Sequence, residues 1–372
     1  MVTRHYLDHA STSPLRTEAA AAVTAWLGRV VADPGRIHAE GMEARHAVEV
    51  AREQVASLLG ARPRSVVFTS GATEAIATAC WGAADRGGHQ VVTAVEHSAV
   101  RRSADQHGEV SVVGVDRHGR VDPGEVLAAC RPDTAAVHVQ WGNHEVGTLQ
   151  PVADVVSGCR ERGVLVHVDA AAAAGRVPIS FDELGADLLS VSAHKLGGPP
   201  GVGALLVRRG LRLRPLFVGG DQERARRAGL EPVALLAGFG AAADALAGGR
   251  LEEEASHQAR LSRRIIDALP DLDGVRLYGH PEERLPHLVC LGADGVEPQA
   301  VLLGLDRAGV AAHSGSSCAS ESLEPSPVLE AMGVDAHHSL RLSVGWSSTD
   351  DDVGAALAAL PEILAALRAL GR

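Results

Sequence analysis

In the segment DLLSVSAHKLGGPPGVGALLVRR, Lys195 stands where an apolar run stops and a glycine-rich stretch begins. A lysine at the mouth of a buried strand is poorly solvated as a cation, so its pKa falls and its amine becomes nucleophilic. The plainer alternative is a lysine that simply reaches solvent, and three other segments weigh against it. FTSGATEAIATA sets Ser70, Gly71, Ala72 and Thr73 between a predicted strand and a predicted helix. Free amides, the helix dipole and the Thr73 hydroxyl suit an anion such as a phosphate there, with an ordinary N-cap as the competing reading. VLVHVDAAAAAG ends its strand at Asp169, and a carboxylate at that depth is expensive without a cationic partner. HSGSSCASES surrounds Cys318 with small polar residues that give it neither a packing role nor a periodic pattern. His97, at the end of TAVEHSAV, has the shape to stack on a planar group, although a lone histidine there is more often structural. An amine, an anion cradle, a strand-end carboxylate and a separate thiol together suit pyridoxal phosphate, whose protonated ring nitrogen would pair with Asp169.

The elements that must hold these groups alternate along the chain. Strand-length apolar runs begin near residues 66, 89, 110, 135, 164, 187 and 202, separated by alanine- and leucine-rich helical stretches. Such alternation predicts an α/β fold with a mainly parallel sheet flanked by helices, and ligands of such sheets sit at strand carboxyl ends. From about residue 232 one long helical stretch leads towards a smaller α+β C-terminal domain with strands in VRLYG, HLVCLG and RLSVGW and a terminal helix in PEILAALRAL. The expected division is a large cofactor-binding domain over 15–250 and a small domain over 251–372 that includes the Cys318 loop and takes in the N-terminal segment 1–14. A chain of 372 residues, 46% of them hydrophobic, suits two such units.

With 35 basic and 46 acidic side chains the net charge is −11, which argues against nucleic-acid binding through a basic surface. No apolar run reaches the roughly 20 residues that cross a bilayer, and MVTRHYLDHA lacks the pattern of a signal peptide, so a cytoplasmic protein is expected. Five cysteines without a CxxC spacing suggest neither a disulfide framework nor a zinc site. Cys80, Cys130 and Cys159 fall in helix-like contexts and Cys290 in a strand-like one, all readable as small hydrophobes.

Ordered matches spanning nearly the whole chain carry a family resemblance: YLDHASTSP, DPGRIHAEG, SGATEA, EHSAV, GNHEVG, HVDAAAAAG, SAHKLGGPPGVGALLVRRG, QERARRAG, HSGSSCASESLEPSPVLEAMG and SLRLSVG. The sequence resembles the cysteine desulfurases of the class V aminotransferase group. That resemblance implies a fold-type I, pyridoxal phosphate-dependent homodimer acting on L-cysteine, with a sulfur-acceptor protein as further partner. It assigns Lys195 to covalent attachment of the cofactor, Asp169 to the ring nitrogen and His97 to stacking on the ring. Gly71, Ala72, Thr73, Ser192 and His194 would form the phosphate site, Arg341 would clamp the substrate carboxylate, and Cys318 would accept the sulfur. Other members of the group, such as C–S lyases, selenocysteine lyases and aminotransferases, would not need Cys318, and a cofactor-poor scaffold is a reading from a different class.

Three positions depart from the family pattern. His144 stands where an asparagine is usual, and Ala172 replaces a glutamine that helps at the same ring oxygen of the cofactor. The imidazole of His144 is expected to replace both contacts, beside the substrate. Leu230 stands where a threonine usually reaches the partner subunit's phosphate; Arg226 or Arg227 would supply charge there instead, and weaker cofactor retention is expected.

Overall fold

The computed structural model describes residues 4–29, 32–314 and 325–370. The seven apolar runs of the first half form the strands β1 (Val66–Thr69), β2 (His89–Thr93), β3 (Glu109–Val113), β4 (Thr134–Gln140), β5 (Leu165–Asp169), β6 (Leu188–Ser192) and β7 (Gly203–Val207). They make one seven-stranded sheet in the order β1-β7-β6-β5-β4-β2-β3. All neighbours are parallel except β7, which is antiparallel to both β1 and β6. Two reversals restore the direction of β1, so its carboxyl end lies on the same edge as those of β2, β4, β5 and β6. Helices cover both faces, and every strand but the edge strand β3 is buried along its full length. Val91, Val137, Val168 and Leu189 are fully covered there, each contributing on the order of 2 kcal/mol of hydrophobic stabilisation.

Two helices start at that shared edge: α1 (Ala72–Ala83) follows β1, and α2 (Ser98–Asp105) follows β2. The long helical stretch expected from residue 232 is two helices, α3 (Val233–Asp244) and α4 (Arg250–Asp267). Gly248 and Gly249, at φ 66° and 90°, adopt the left-handed conformation that ends one helix and starts a new direction.

A second sheet, antiparallel and three-stranded in the order β10-β9-β8, is built from β8 (Val275–Tyr278), β9 (Leu288–Ala293) and β10 (Ser339–Ser343). The N-terminal His5–Tyr6 pairs in parallel with Val310–Ala311. The apolar cluster around this sheet contains Leu7 and residues from Leu261 to Leu364, whereas the cluster of the large sheet runs from Ala19 to Leu285. The terminal helix α5 (Asp350–Leu370) is longer and more apolar than the sequence reading allowed, and by length and composition it matches a membrane span. Its packing accounts for one face: Val353, Ala356, Leu360 and Leu364 are buried in the second cluster, with Leu357, Ile363 and Leu367 packed against it, while the opposite face, largely alanine, is exposed.

One buried ion pair ties β1 to a distant turn. Glu223 takes both guanidinium nitrogens of Arg52, at 2.7 and 2.8 Å, and also accepts from the Phe68 amide at 3.0 Å, while Arg52 donates to the Val66 carbonyl. Glu223, Arg224 and Ala225 hold φ of 48°, 60° and 60°, so three residues that are not glycine are kept left-handed to make this contact. Because the pair fixes the strand that leads into the 70–73 turn, Glu223→Gln is expected to lower unfolding stability by about 3 kcal/mol, leaving buried Arg52 with only the more exposed Glu49, 3.1 Å away, as a charged partner. Denaturant titration of the two proteins checks this; equal midpoints would contradict it.

Candidate active site

The loops at the shared strand edge enclose a cavity of about 500 Å³. Its wall contains Gly71, Ala72, Thr73, His97, His144, Asp169, Ser192, His194, Lys195 and Arg341. Every candidate site residue that the structure describes therefore borders one space. Cys318 lies outside the described residues. The chain preceding it runs beside Arg341, because His313 and Arg341 exchange backbone hydrogen bonds of 3.2 and 2.7 Å.

At the end of β1 the helix α1 begins with Gly71 as its N-cap and no side-chain cap, which leaves its first-turn amides open towards the cavity. The strand β7 passes close behind this turn. A Cβ on Gly203 would lie 2.7 Å from the Gly71 Cα, so glycine is what permits the approach. Ser192 Oγ is buried and has no hydrogen-bond partner among the described residues. His194, bonded through Nδ1 to Thr12 Oγ1 at 3.1 Å, is lowered to about 4 by burial and by the charge of Lys195, and so remains a neutral donor or acceptor. Open amides, a hydroxyl without a partner and neutral imidazole match a phosphate's need for several donors.

Lys195 is half-buried at the cavity wall. Burial lowers its pKa to about 8; Asp169 opposes that shift, while Arg341 and Arg176 add to it. The chain contains a single lysine, so all other side-chain cations among the 35 basic residues are arginines. This count was a signal the reading of motifs passed over. Arginine stays protonated and does not act as an amine nucleophile, which leaves Lys195 as the one side chain able to bond an aldehyde as an amine.

Asp169 Oδ1 accepts from Ser190 Oγ at 2.9 Å and from the Ala171 amide at 3.1 Å. His97 caps α2, its Nδ1 accepting from the Ala99 amide at 3.1 Å, which puts the proton on Nε2 and fixes the ring at the cavity. Burial, then Lys195, lowers its pKa. The rings of His97 and His144 meet edge to face, 5.1 Å between centroids. His144 lies well below its usual pKa through burial, and its Nδ1 has no partner among the described residues. That orphaned nitrogen and the short Ala172 side chain, both at the cavity, fit an oxygen-bearing aromatic ring.

Arg341 comes from β10 of the second sheet. It is 1% exposed and is aimed by Asp8 (3.1 Å), Ser11 (2.7 Å) and the His144 carbonyl (2.8 Å). Asp8 and Ser11, in the segment YLDHASTSP, carry no motif of their own, yet they orient the candidate carboxylate clamp. Leu230 is half-exposed and lines a side pocket next to Ser70, not the main cavity. The two arginines expected to compensate there are engaged within the chain: Arg227 bonds Glu74 at 2.9 and 3.2 Å, and Arg226 bonds the carbonyls of Arg64, Val66 and Glu223.

Two outcomes follow from this geometry. In cofactor-free protein only the neutral form of Lys195 reacts, so its recombination rate with pyridoxal phosphate should rise with pH, about tenfold per unit, and level off above pH 8; a rate still climbing at pH 10 would contradict a depressed pKa. His144→Ala should alter the visible spectrum of the bound cofactor and weaken its binding about tenfold, as expected for losing a buried hydrogen bond. Unchanged spectrum and affinity would show that His144 does not supply the missing contacts.

The class-V aminotransferase family profile matches residues 5–355. Cysteine desulfurase IscS of Methanosarcina thermophila is 38% identical over 98% of this chain and 92% of its own, and cysteine desulfurase IscS 1 of Archaeoglobus fulgidus is 39% identical over 98% of each. Among solved structures, a NifS-like protein superimposes with a TM-score of 0.91 at 31% identity, covering 98% of this chain and 100% of its own. The structure titled SspA in complex with cysteine gives 0.81 at 28% identity, covering 93% and 100%. Sequence and architecture agree that the chain belongs to the class-V aminotransferase family, in its cysteine desulfurase group.

Proposed function

We propose that the protein takes sulfur from L-cysteine, releases L-alanine and leaves the sulfur as a persulfide on Cys318 for a further acceptor. The observation that carries this reading is the convergence of the only lysine, a strand-end carboxylate, an open helix N-terminus and a buried arginine on one cavity, in a chain whose relatives are named for this activity.

Pyridoxal phosphate, when bound, supplies the electron sink for breaking bonds at the substrate's Cα and Cβ. The Lys195 amine would hold it covalently and, when free, would serve as base for the substrate's Cα proton; a pKa of about 8 leaves a useful neutral fraction near neutrality. Asp169 would pair with its ring nitrogen and His97 would lie against its ring. Ala72, Thr73, Ser192 and His194 would bind the phosphate, and His144 would take the ring oxygen. Arg341, aimed by Asp8 and Ser11, would bind the substrate carboxylate and so fix the substrate's orientation in the cavity. The Cys318 thiolate attacks the substrate sulfur, the Cβ–S bond breaks with its electron pair left on carbon, and that carbon takes protons on the way to alanine.

The same reading places two such chains in a homodimer. Leu230, apolar and 59% exposed beside Ser70, is the residue of the phosphate end that such a partner would cover. It also divides the chain into units over 15–250 and 251–372 with segment 1–14, supported by Leu7 sharing one apolar cluster with residues between 261 and 364, while Leu251 and Leu285 pack in the cluster of the large sheet. A cytoplasmic setting agrees with α5 being a packed helix. Cys318→Ser is expected to keep cofactor binding and to lose persulfide formation, with alanine production from cysteine falling at least about a hundredfold. Mass spectrometry of the protein after cysteine addition, with alanine assayed in parallel, checks this; full turnover by the variant would point to a lyase or an aminotransferase.

A further inference from the structure

A line of polar side chains crosses the buried interior of the large sheet behind Asp169, where its neighbours are valine, leucine and alanine. Ser190 Oγ lies 2.9 Å from Asp169 Oδ1, His167 Nε2 lies 3.2 Å from Ser190 Oγ, and His167 Nδ1 lies 3.0 Å from His138 Nδ1. His138 Nε2 lies 2.7 Å from the side-chain amide of Gln90. All four supporting residues are 0% exposed. They come from the adjacent strands β2, β4, β5 and β6, and the register sets His138 opposite His167 and Asp169 opposite Ser190. Polar groups placed this deep are costly unless each one is satisfied.

A neutral imidazole donates from one nitrogen and accepts at the other, so the links of this chain are not independent. Burial keeps both rings neutral, lowering His138 to about 4 and His167 well below its usual value. If Asp169 is an ionised acceptor, Ser190 donates to it and must accept from His167 Nε2–H. His167 Nδ1 then accepts from His138 Nδ1–H, and His138 Nε2 must accept from the Gln90 amide nitrogen. If Gln90 instead turns its oxygen to His138, every link reverses and Asp169 must carry a proton and donate it to Ser190. As placed, Gln90 Oε1 faces His138 while Gln90 Nε2 has no partner among the described residues. Neutral rings cannot satisfy that orientation and the Ser190-to-Asp169 bond together. Exchanging the two ends of the isosteric amide resolves the conflict with no protonated carboxyl.

We infer that Gln90, His138, His167 and Ser190 form a one-directional hydrogen-bond chain that holds Asp169 as an acceptor, its Oδ1 occupied from behind so that the other oxygen is presented to the cofactor's ring nitrogen. The four are positioning residues, and the inference rests on the reading of the cavity as a pyridoxal phosphate site. The titratable groups around the chain do not compete for its links. Cys80 of α1, 3.8 Å from His138, is pushed up to about 12 by burial and stays a thiol. Glu96, pushed up to about 8 by burial, is bonded to Thr93 Oγ1 and the Gln140 amide. His97 and Lys195 lie on the cavity side.

The test is nitrogen NMR of histidine-labelled holoenzyme together with kinetics of Ser190→Ala, His138→Phe and the double variant. The expected tautomers are Nε2–H on His167 and Nδ1–H on His138. Each single variant should lower kcat for L-cysteine about tenfold with KM unchanged, and the double variant should be no slower than the worse single, since both cut one chain. Opposite tautomers, or effects that multiply, would overturn the inference. The tautomers are read in unaltered protein, so they decide the matter even if a variant fails to fold. Failure of the functional reading would show separately, as unaltered protein that binds no pyridoxal phosphate.

Discussion

Everything in this fold answers to the placement of one amine in a cavity where it is poorly hydrated. An ammonium group in that position loses hydration that its surroundings do not fully replace, and the balance is struck by lowering its pKa to about 8, with Asp169 first and Asp8 after it opposing the shift. A buried amine of this kind is an unusual expense for a protein unless the neutral form is wanted. Here the rest of the chain has no lysine at all. Surface charge is carried by arginine, so an aldehyde cofactor meets no competing side-chain amine.

The parallel sheet is what makes that placement cheap in other respects. Strands running the same way bring their carboxyl ends to one edge, and there successive turns supply an open helix N-terminus, an imidazole, a carboxylate and the lysine without any strand leaving its register. The second sheet contributes a single group, Arg341, and the N-terminal segment holds it in line through Asp8 and Ser11. A cation facing the amine from another unit has two effects: it helps to depress Lys195, and it gives a substrate carboxylate a reason to enter. Binding and base strength are thus coupled through the same guanidinium.

Much of this was legible in the residues. Strand positions could be read because fully buried parallel strands are uninterrupted apolar runs, and their ends could be read because the runs stop abruptly at Ser70, Asp169 and Ser192. Helix lengths were less legible: good helix formers continue on both sides of Gly248, apolar in VALLAGFGAAAD and charged in RLEEEASHQARLSRRIID, and the break depends on left-handed glycines that a hydrophobic pattern does not register. The membrane-like length of α5 was underestimated because its apolar residues are spread along more turns than any single run suggests. Second-sphere contacts were not legible. Nothing in QERARRAG announces that Glu223 will grip Arg52, and nothing in AAVHVQW or VLVHVD announces that two histidines will face each other across neighbouring strands, because those partners are set by strand order.

The most direct measurement is borohydride reduction of the protein with pyridoxal phosphate bound, followed by peptide mapping. The account predicts one reduced adduct, on the peptide containing Lys195, which cysteine added beforehand diminishes. With a single lysine in the chain the alternative is sharp: an adduct confined to the terminal amine, or no adduct at saturating cofactor, would contradict the assignment of this cavity.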